Sequence, residues 1–500
     1  MLRGTDSGLP EGTMGIRRAL VVTTSERYIN LATTFVTTMI VSRLLSPAEI
    51  GVWAIGLAIA TLATSVREFT TGNFLVQRPN LTSDDVRGAF TVMLLMSVLI
   101  AAVLELLAPW LAWAYGEVKL VSYLRVAAAA ILIEVVATLL TALMRRDMAF
   151  TDLALVNIAN VSTFSVAAVG LAAAGFSYMS LAWAWAVGAT ASSVLALYLR
   201  PDVWALQPSL RGWRGMLTFG GYNGLNVFLY RIYEALPTII LSRLVSFHAA
   251  GLFNRALLVC QVPDKLVLGG ALPVILPALS AEVRAGRALK GPYLRAVSFM
   301  TALQWPALIL LAILAQPAVH VLLGDQWLEV VPLVRLMALA SLFAFAAELN
   351  YPVLVSLGAM RDLLLRGLVA WPLSALLIGL ASLMGLTAVA AGFFVIVPLQ
   401  AYVSLYFVRR HIDLGWGELV DTMWRSGVIA AASAIGPLCT AAWIGRFDMP
   451  IWAAAAAATL AGIGWLAGVW LTRHPLADEI RNACEVARHS SFRARRAKAQ

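Results

Sequence analysis

Polar side chains recur at helical spacing in two apolar segments of this 500-residue chain, at positions that differ by 200. The first set is Thr23, Arg27, Asn30, Thr34 and Thr37, and the second is Asn223, Asn226, Tyr230, Glu234 and Pro237. Steps of three and four residues place each set on one face of an α-helix. Polar groups are costly in an apolar medium, so these faces indicate either the walls of a water-filled cavity or hydrogen bonds between helices.

Charged residues accompany these polar faces and could bind an anion. They are Arg27, Arg67, Glu68, Arg231, Glu234, Arg255, Asp264 and Lys265. A guanidinium group binds phosphate oxygens in pairs and stays ionised when it is partly desolvated. We therefore predict a cavity suited to a phosphate-bearing ligand. Its expected lining is Arg27, Asn30, Arg67, Asn223, Asn226, Arg231, Glu234, Arg255 and Lys265.

Opposite charges on neighbouring residues allow a second interpretation. Arg67 with Glu68, and Asp264 with Lys265, could neutralise adjacent helices as structural ion pairs instead of lining a cavity. The sequence leaves both interpretations open for these four residues. Two further acidic residues lie away from the polar faces, and we expect them to serve packing or the bilayer interface: Glu105 and Glu134.

The composition places most of the chain in a membrane. Hydrophobic residues make up 60% of it and charged residues only 13%, with a mean hydropathy of +0.81. A soluble domain carries about twice that charged fraction. Apolar stretches long enough for a bilayer predict an all-α integral membrane protein with about fourteen transmembrane helices. The stretches are roughly residues 19–42, 49–76, 89–114, 120–143, 153–174, 178–199, 215–242, 249–279, 293–323, 330–357, 363–384, 387–408, 424–444 and 450–471.

The distribution of basic residues predicts how the chain is oriented. Most of the 37 Lys and Arg residues fall in the two termini and in one set of loops, which the positive-inside rule places in the cytoplasm. This bias, together with a basic tail suited to anionic membrane lipids, explains the net charge of +10. No nucleic-acid partner is therefore expected.

A repeat relates the two halves of the chain. Residues 38–51 read TMIVSRLLSPAEIG and residues 238–251 read TIILSRLVSFHAAG, with identical Thr, Ile, Ser, Arg, Leu, Ser and Gly. Six predicted helices separate the copies, so the halves are expected to be parallel repeats with the substrate path between them. The predicted organisation is a cytoplasmic arm at 1–18, an N-lobe at 19–199, a linker at 200–214, a C-lobe at 215–410, two appended helices within 424–471 and a basic tail at 472–500.

No motif for catalysis, a metal or a cofactor occurs in the sequence. A Walker A sequence is absent, so nucleotide hydrolysis by this chain is not expected. The three cysteines provide no disulfide framework. We predict that the protein is not an enzyme, has no catalytic residue and needs no metal or cofactor.

Several stretches of the chain resemble a known family. They are IVSRLLSPAEIGVWAIG, NFLVQRPNLTSDDVRGAFT, LFNRALLVCQVPDKL, ALPVILPALS and VLLGDQWLEVVPLVRLMALA. They are similar to the polysaccharide transporter family, the Wzx-type oligosaccharide flippases of the MOP (MATE-like) exporter superfamily. The resemblance implies two six-helix lobes around a central cavity, followed by two C-terminal helices.

The resemblance also implies a function. It is that of a flippase that moves an undecaprenyl-pyrophosphate-linked oligosaccharide repeat unit across a bacterial inner membrane by alternating access, for polysaccharide or lipopolysaccharide biosynthesis. Arg255 in LFNRALL matches the arginine that follows a Gly-Leu-Tyr/Phe phrase in the family, and of the predicted cavity residues it carries over best. Family members often carry an acidic residue two turns before the loop arginine. Counted back from Arg243, that position holds Pro237, and Glu234 lies one turn earlier.

The implied partners are the lipid-linked oligosaccharide, membrane lipids, H⁺ or Na⁺ as a coupling ion, and polysaccharide polymerase or export machinery. Three alternatives stay open at this point. A cation-coupled MATE-type multidrug exporter would favour acidic residues in the cavity, whereas arginine predominates here. A lipid II flippase would share the fold. A membrane polysaccharide polymerase or ligase would need a sizeable outer loop, and the predicted outer loops are short.

Overall fold

The computed structural model describes the backbone of residues 12–68, 75, 81–209 and 221–481. Side chains are described in the same ranges except at 12–20, 66, 68, 221–224 and 266–274. The described residues form helices joined by turns and short loops, and none of them lies in a β-strand. The expectation of an all-α fold is thus confirmed.

Contacts divide the chain into two compact units, residues 1–251 and 252–500. The helices that begin in the first unit are α1 (Gly12–Leu44), α2 (Pro47–Glu68), α3 (Ser83–Tyr115), α4 (Lys119–Arg146), α5 (Phe150–Ala173), α6 (Met179–Leu199), α7 (Gly221–Leu244) and α8 (Phe247–Cys260). A 3₁₀ helix at Val203–Leu206 follows α6, and α8 continues across the boundary into the second unit.

The helices of the second unit continue the numbering. They are α9 (Val262–Arg284), α10 (Lys290–Ile313), α11 (Ala315–Leu322), α12 (Val331–Ala340), α13 (Phe345–Ser356), α14 (Met360–Ser382), α15 (Leu386–Arg409), α16 (Trp416–Ile444) and α17 (Ile451–Leu471). Short 3₁₀ helices at Asp325–Val330 and Ser341–Phe343 precede and follow α12.

Eleven helical segments among the described residues are long and apolar enough to cross a membrane. The chain is therefore a multi-pass membrane protein, while the number fourteen stays a prediction. Three predicted continuous helices are interrupted instead, at Gln261, at Leu314 and over Ser341–Phe343. Proline lacks a backbone N–H and disfavours helix in the preceding residue, which accounts for the first break, just before Pro263 in the first turn of α9.

One helix lies at the centre of the packing in each unit. In the first unit, α4 contacts α2, α3 and α6, and its Tyr123, Leu124 and Ile131 are buried there. In the second unit, α10 contacts α9, α12, α13 and α16, and its Tyr293 and Val297 are buried.

The two copies of the repeat meet through their glycines. A Cβ atom at Gly51 would lie 1.8 Å from the carbonyl oxygen of Phe247, and one at Gly251 would lie 1.9 Å from that of Pro47. The two contacts are reciprocal, since each position in one copy has its counterpart 200 residues away. Only glycine lets the starts of α2 and α8 approach so closely, which gives the shared Gly of the repeat a structural reason.

A second feature recurs between α4 and α5 in the first unit and at the start of α14 in the second. Asp147, just after α4, accepts a hydrogen bond of 2.5 Å from Arg200, just after α6, and Arg200 also binds Asp202 at 2.6 Å. Asp362, in the first turn of α14, binds His411, just after α15, at 2.6 Å. In both units an acidic residue thus binds a basic residue that follows the end of a later helix.

The chain segment after α17 turns back into the second unit. His474 is buried, and its Nε2 lies 2.7 Å from the hydroxyl of Ser298 on α10. Its Nδ1 accepts a hydrogen bond from the backbone N–H of Leu476, so Nε2 carries the proton and donates to Ser298. Burial and the nearby charge of Arg425 lower the pKa of His474 from 6.5 to about 4.

The glycine contact predicts opposite effects for two Gly→Ala substitutions. Gly51→Ala should destabilise the protein by about 1–3 kcal/mol, because the added methyl group has no space. Gly170→Ala, in α5, should be neutral or stabilising, because nothing lies within 4 Å of its Cβ position and alanine favours helix. Melting temperatures of the two purified variants would test this, and equal stability of Gly51→Ala and Gly170→Ala would contradict the close contact.

His474 predicts how stability depends on pH. Its pKa is lower in the folded state than its ordinary value of 6.5, so between pH 6.5 and pH 4 the unfolded state binds more protons. Stability should therefore fall as the pH is lowered through this range, by at most about 3 kcal/mol from this residue. Melting curves at several pH values should show a smaller pH dependence for His474→Gln than for the parent. An equal slope in both proteins would assign the effect to other groups.

Candidate functional site

The polar face of α1 contacts α5 through a carboxylate. Asn157 on α5 donates a hydrogen bond of 2.7 Å to Glu26 Oε1, and Asn30 lies 3.4 Å from the same oxygen. Asn30 is half-buried, whereas Arg27 is exposed on the neighbouring part of the helix. The face thus divides into two parts, with Asn30 turned toward the packing against α5 and Arg27 left accessible.

Glu26 and Asn157 are absent from the predicted set. Asn157 and Asn160 are three residues apart on α5, and Asn160 donates to the carbonyl of Gly188 and the hydroxyl of Ser192 on α6, both at 3.1 Å. The helical spacing of polar residues in the fifth apolar stretch, residues 153–174, would have identified both asparagines. It would not have identified Glu26 as their partner, because that contact joins distant parts of the chain.

The polar face of α7 carries an accessible ion pair. Arg231 Nη1 lies 2.9 Å from Glu234 Oε2, and the two side chains are 38% and 42% exposed. Asn226, one turn earlier, is buried, and within the described part of the chain its Oδ1 has no hydrogen-bond partner. The side chain of Asn223 lies outside the described residues. Arg231 and Glu234 therefore form an accessible ion pair without net charge, and the amide of Asn226 is buried on the same helix.

Arg67 lies inside the packing of the first unit. It is 3% exposed, and its Nη1 lies 3.1 Å from Ser97 Oγ on α3 and 3.4 Å from the Ile131 carbonyl oxygen on α4. Glu134 on α4 is its ion-pair partner at 3.9 Å. These contacts favour the structural ion pair that the sequence left open, with Glu134 as the carboxylate. The side chain of Glu68 lies outside the described residues.

Arg255 and Trp327 bring together two stretches of the family resemblance. The Arg255 guanidinium carbon lies 5.7 Å from the centroid of the Trp327 ring, and both side chains are buried in the second unit. An arginine over an indole face is stabilised by the ring quadrupole. Trp327 belongs to the GDQW segment and is also absent from the predicted set. Lys265, in contrast, is exposed at the start of α9.

The second unit contains two half-buried carboxylates and a fully buried amide on three helices. Asp264 on α9 accepts a hydrogen bond of 2.7 Å from Gln304 Nε2 on α10, and its carboxylate acts electrostatically on that of Glu348 on α13. Within the described part of the chain, the Gln304 Oε1 and Glu348 Oε2 atoms are buried without a hydrogen-bond partner. We call Asp264, Gln304 and Glu348 the acidic cluster. Its carboxylates could accept a proton, and its carboxylate and amide oxygens could bind a small cation.

The described residues contain no group of three or more His, Cys, Asp or Glu side chains that could hold a metal ion. Of the predicted cavity residues with described side chains, Arg27, Asn30, Arg67, Asn226, Arg231 and Glu234 lie in the first unit, and Arg255 and Lys265 lie in the second. The lining of a cavity by these residues stays a prediction.

The chain is similar in sequence to proteins of polysaccharide export. It is 26% identical to the succinoglycan biosynthesis transport protein ExoT of Rhizobium meliloti, over 61% of this chain and 62% of ExoT. The chain spans about three fifths of the length of the curated relatives it matches, at 60–65% of each.

Two solved structures are similar in fold. The lipid II flippase MurJ, in an inward closed conformation, has a TM-score of 0.70 at 10% identity, covering 92% of this chain and 99% of MurJ. An inward-facing multidrug resistance MATE family transporter of the MOP superfamily has a TM-score of 0.64 at 16% identity, covering 79% of this chain and 98% of that one. At these identities the likeness shows the fold alone, and it confirms the MATE-like helical fold that the sequence predicts.

The sequence profile of the polysaccharide biosynthesis protein family matches residues 40–332, which is more than half of the chain. The match includes residues 40–51 of the first copy of the repeat, the whole second copy, Arg255 and the GDQW segment. The chain belongs to the polysaccharide biosynthesis protein family.

Proposed function

We propose that this protein is a flippase for an undecaprenyl-pyrophosphate-linked oligosaccharide repeat unit, acting in polysaccharide or lipopolysaccharide biosynthesis. The observation that carries the proposal is the family match over residues 40–332 in a chain whose described residues include eleven membrane-length helices. It is supported by ExoT, a relative described as a biosynthesis transport protein. The proposed location is a bacterial inner membrane with both termini in the cytoplasm.

The physical task is to move a charged, sugar-bearing headgroup through an apolar layer while its isoprenoid tail stays in lipid. Arg27 on α1 is an accessible cation, and Arg231 on α7 is accessible in its ion pair with Glu234. Both guanidinium groups can bind phosphate oxygens with charge-assisted hydrogen bonds, Arg231 by exchanging Glu234 for the phosphate. Amides such as the half-buried Asn30 can replace water around the sugar hydroxyls. We infer alternating access without nucleotide hydrolysis and without catalysis, so that the headgroup is released unchanged on the other side.

A lipid II flippase is the second candidate, because the fold of MurJ covers 92% of this chain. A multidrug exporter is less well supported, since the accessible charges on α1 and α7 include two arginines. A polymerase or ligase is opposed by the short predicted outer loops. The cargo can be identified in a strain that lacks its own exporter, where restored surface polysaccharide supports the proposal and restored cell-wall synthesis supports lipid II.

We further propose that the acidic cluster binds the coupling ion, H⁺ or Na⁺. An uncompensated carboxylate in a low-dielectric site favours a proton or a cation strongly. Gln304 donates a hydrogen bond to Asp264 from Nε2, and its Oε1 can serve as a further neutral oxygen ligand. Carboxylate and amide oxygens suit a hard cation such as Na⁺. Binding there would change the charge inside the second unit and so could bias its conformation.

Removing the accessible arginines should reduce export. Arg27→Ala and Arg231→Ala should each lower surface polysaccharide about tenfold or more, because a charge-assisted hydrogen bond to phosphate is lost. Arg255→Ala should abolish export as well, although part of its effect would come from lost packing on Trp327. Polysaccharide would be quantified in an exporter-deficient strain at matched membrane levels of each variant.

The matched control for these variants is Arg125→Ala. Arg125 is exposed and paired with Glu105 at 2.8 Å, away from both polar faces, so export should stay near the parental level. Normal polysaccharide in all three test variants would exclude a cationic site for the headgroup.

Neutralising the acidic cluster should uncouple transport from its ion. Asp264→Asn and Glu348→Gln keep the shape of each side chain but remove its charge, so transport driven by an ion gradient should fall about tenfold or more. Transport would be measured in proteoliposomes under an imposed pH gradient and, separately, under a Na⁺ gradient. The gradient that drives transport by the parent protein identifies the coupling ion.

Glu105→Gln serves as the control, because Glu105 is exposed and forms its ion pair with Arg125 in the first unit. If both cluster variants respond to the gradients as the parent does, the coupling ion binds elsewhere, while the proposed cargo is unaffected by that result.

A further inference from the structure

An exposed group of aromatic rings and arginines lies where α15 ends and α16 begins. We call Tyr402, Tyr406, Arg409, Arg410 and Trp416 the aromatic–arginine cluster. The rings of Tyr402 and Trp416 are parallel within 2°, with centroids 6.1 Å apart. Tyr402 is 58% exposed, Tyr406 51% and Trp416 44%. Large rings exposed at a helix end are typical of the boundary between the bilayer and water.

Each arginine of the cluster lies over a ring. The guanidinium carbon of Arg409 is 4.4 Å from the centroid of the Trp416 ring, and that of Arg410 is 5.8 Å from the centroid of the Tyr406 ring. Arg409 Nε donates a hydrogen bond of 2.6 Å to the carbonyl of Leu414. The ring and this hydrogen bond fix the guanidinium plane, while its two terminal nitrogens still point their N–H groups outward from the plane's edge.

The carboxylates near the cluster are engaged elsewhere. Glu418 pairs with Lys290 at 2.6 Å and accepts a hydrogen bond from the N–H of Gly415. Asp362 pairs with His411. Asp413 is exposed, and in the described part of the chain it forms no ion pair with Arg409 or Arg410. The cluster therefore carries two positive charges that no carboxylate of the described residues neutralises.

We propose that the aromatic–arginine cluster binds the phosphate headgroup of an anionic phospholipid from the surrounding membrane. Arg409 and Arg410 place two guanidinium groups at one helix end, which suits a lipid with two phosphates such as cardiolipin, and an oriented guanidinium binds phosphate oxygens in pairs. The exposed faces of Tyr402 and Tyr406 lie along the last two turns of α15, where they can contact the acyl chains. This site shares no residue with the polar faces of α1 and α7 or with the acidic cluster.

The full-length protein provides the test, with cardiolipin in mixed phosphatidylethanolamine–cardiolipin micelles as the probe. Native mass spectrometry would measure the fraction of protein that retains cardiolipin. Arg409→Gln should weaken cardiolipin binding about fivefold, the effect of one basic residue near an anionic surface. Arg145→Gln removes an exposed arginine at the end of α4, in the first unit, and should leave binding unchanged. Equal loss in both variants would overturn the proposal.

Trp416→Leu tests whether the ring contributes, because it removes the indole but no charge. This variant should bind cardiolipin more weakly while its melting temperature stays close to that of the parent. Unchanged binding would show that charge attraction alone holds the lipid, and it would overturn the proposal. Inorganic phosphate should not displace cardiolipin, since the acyl chains are part of the contact. Displacement by phosphate alone would overturn the assignment to a lipid. Binding is measured without transport, so neither result depends on the proposed function.

Discussion

The rest of this structure depends on the need of each polar side chain inside the apolar bundle to find a partner. A bilayer offers no water to satisfy buried donors and acceptors, so the partner must come from another helix. Arg67 meets that need with a hydroxyl on α3 and with a carbonyl and a carboxylate on α4. Such contacts join three helices at one point, and they fix which apolar faces turn toward each other.

Buried charge is balanced in different ways in the two units. In the first unit Arg67 is deeply buried, and Glu134 is its ion-pair partner. In the second unit Arg255 is equally buried and lies over the Trp327 ring, while the half-buried Asp264 accepts a hydrogen bond from a neutral amide, Gln304. An ion pair has no net charge, whereas a carboxylate that is bound only by an amide keeps its negative charge and favours a proton or a cation.

Much of the fold can be predicted from one-dimensional patterns, because a membrane helix is defined by the length and hydropathy of its own residues. The interruptions at Leu314 and at Ser341–Phe343 were not predicted, since apolar residues run through both points without a change of hydropathy. Helical spacing in the sequence identifies Asn30 as a residue of the polar face. Its connection to Asn157, through hydrogen bonds to Glu26, depends on how α1 packs on α5. Partners that lie far apart in the chain follow from packing, which spacing alone does not determine.

The reciprocal contact of Gly51 and Gly251 has a mechanical consequence. Backbone atoms of α2 and α8 touch without any side chain between them, so no flexible group can stretch or slide to keep a partial contact as the helices separate. Packed backbones of this kind favour discrete arrangements over continuous deformation. Any separation of the two helix starts would therefore remove this contact as a whole, and the two copies of the sequence repeat supply both of its surfaces.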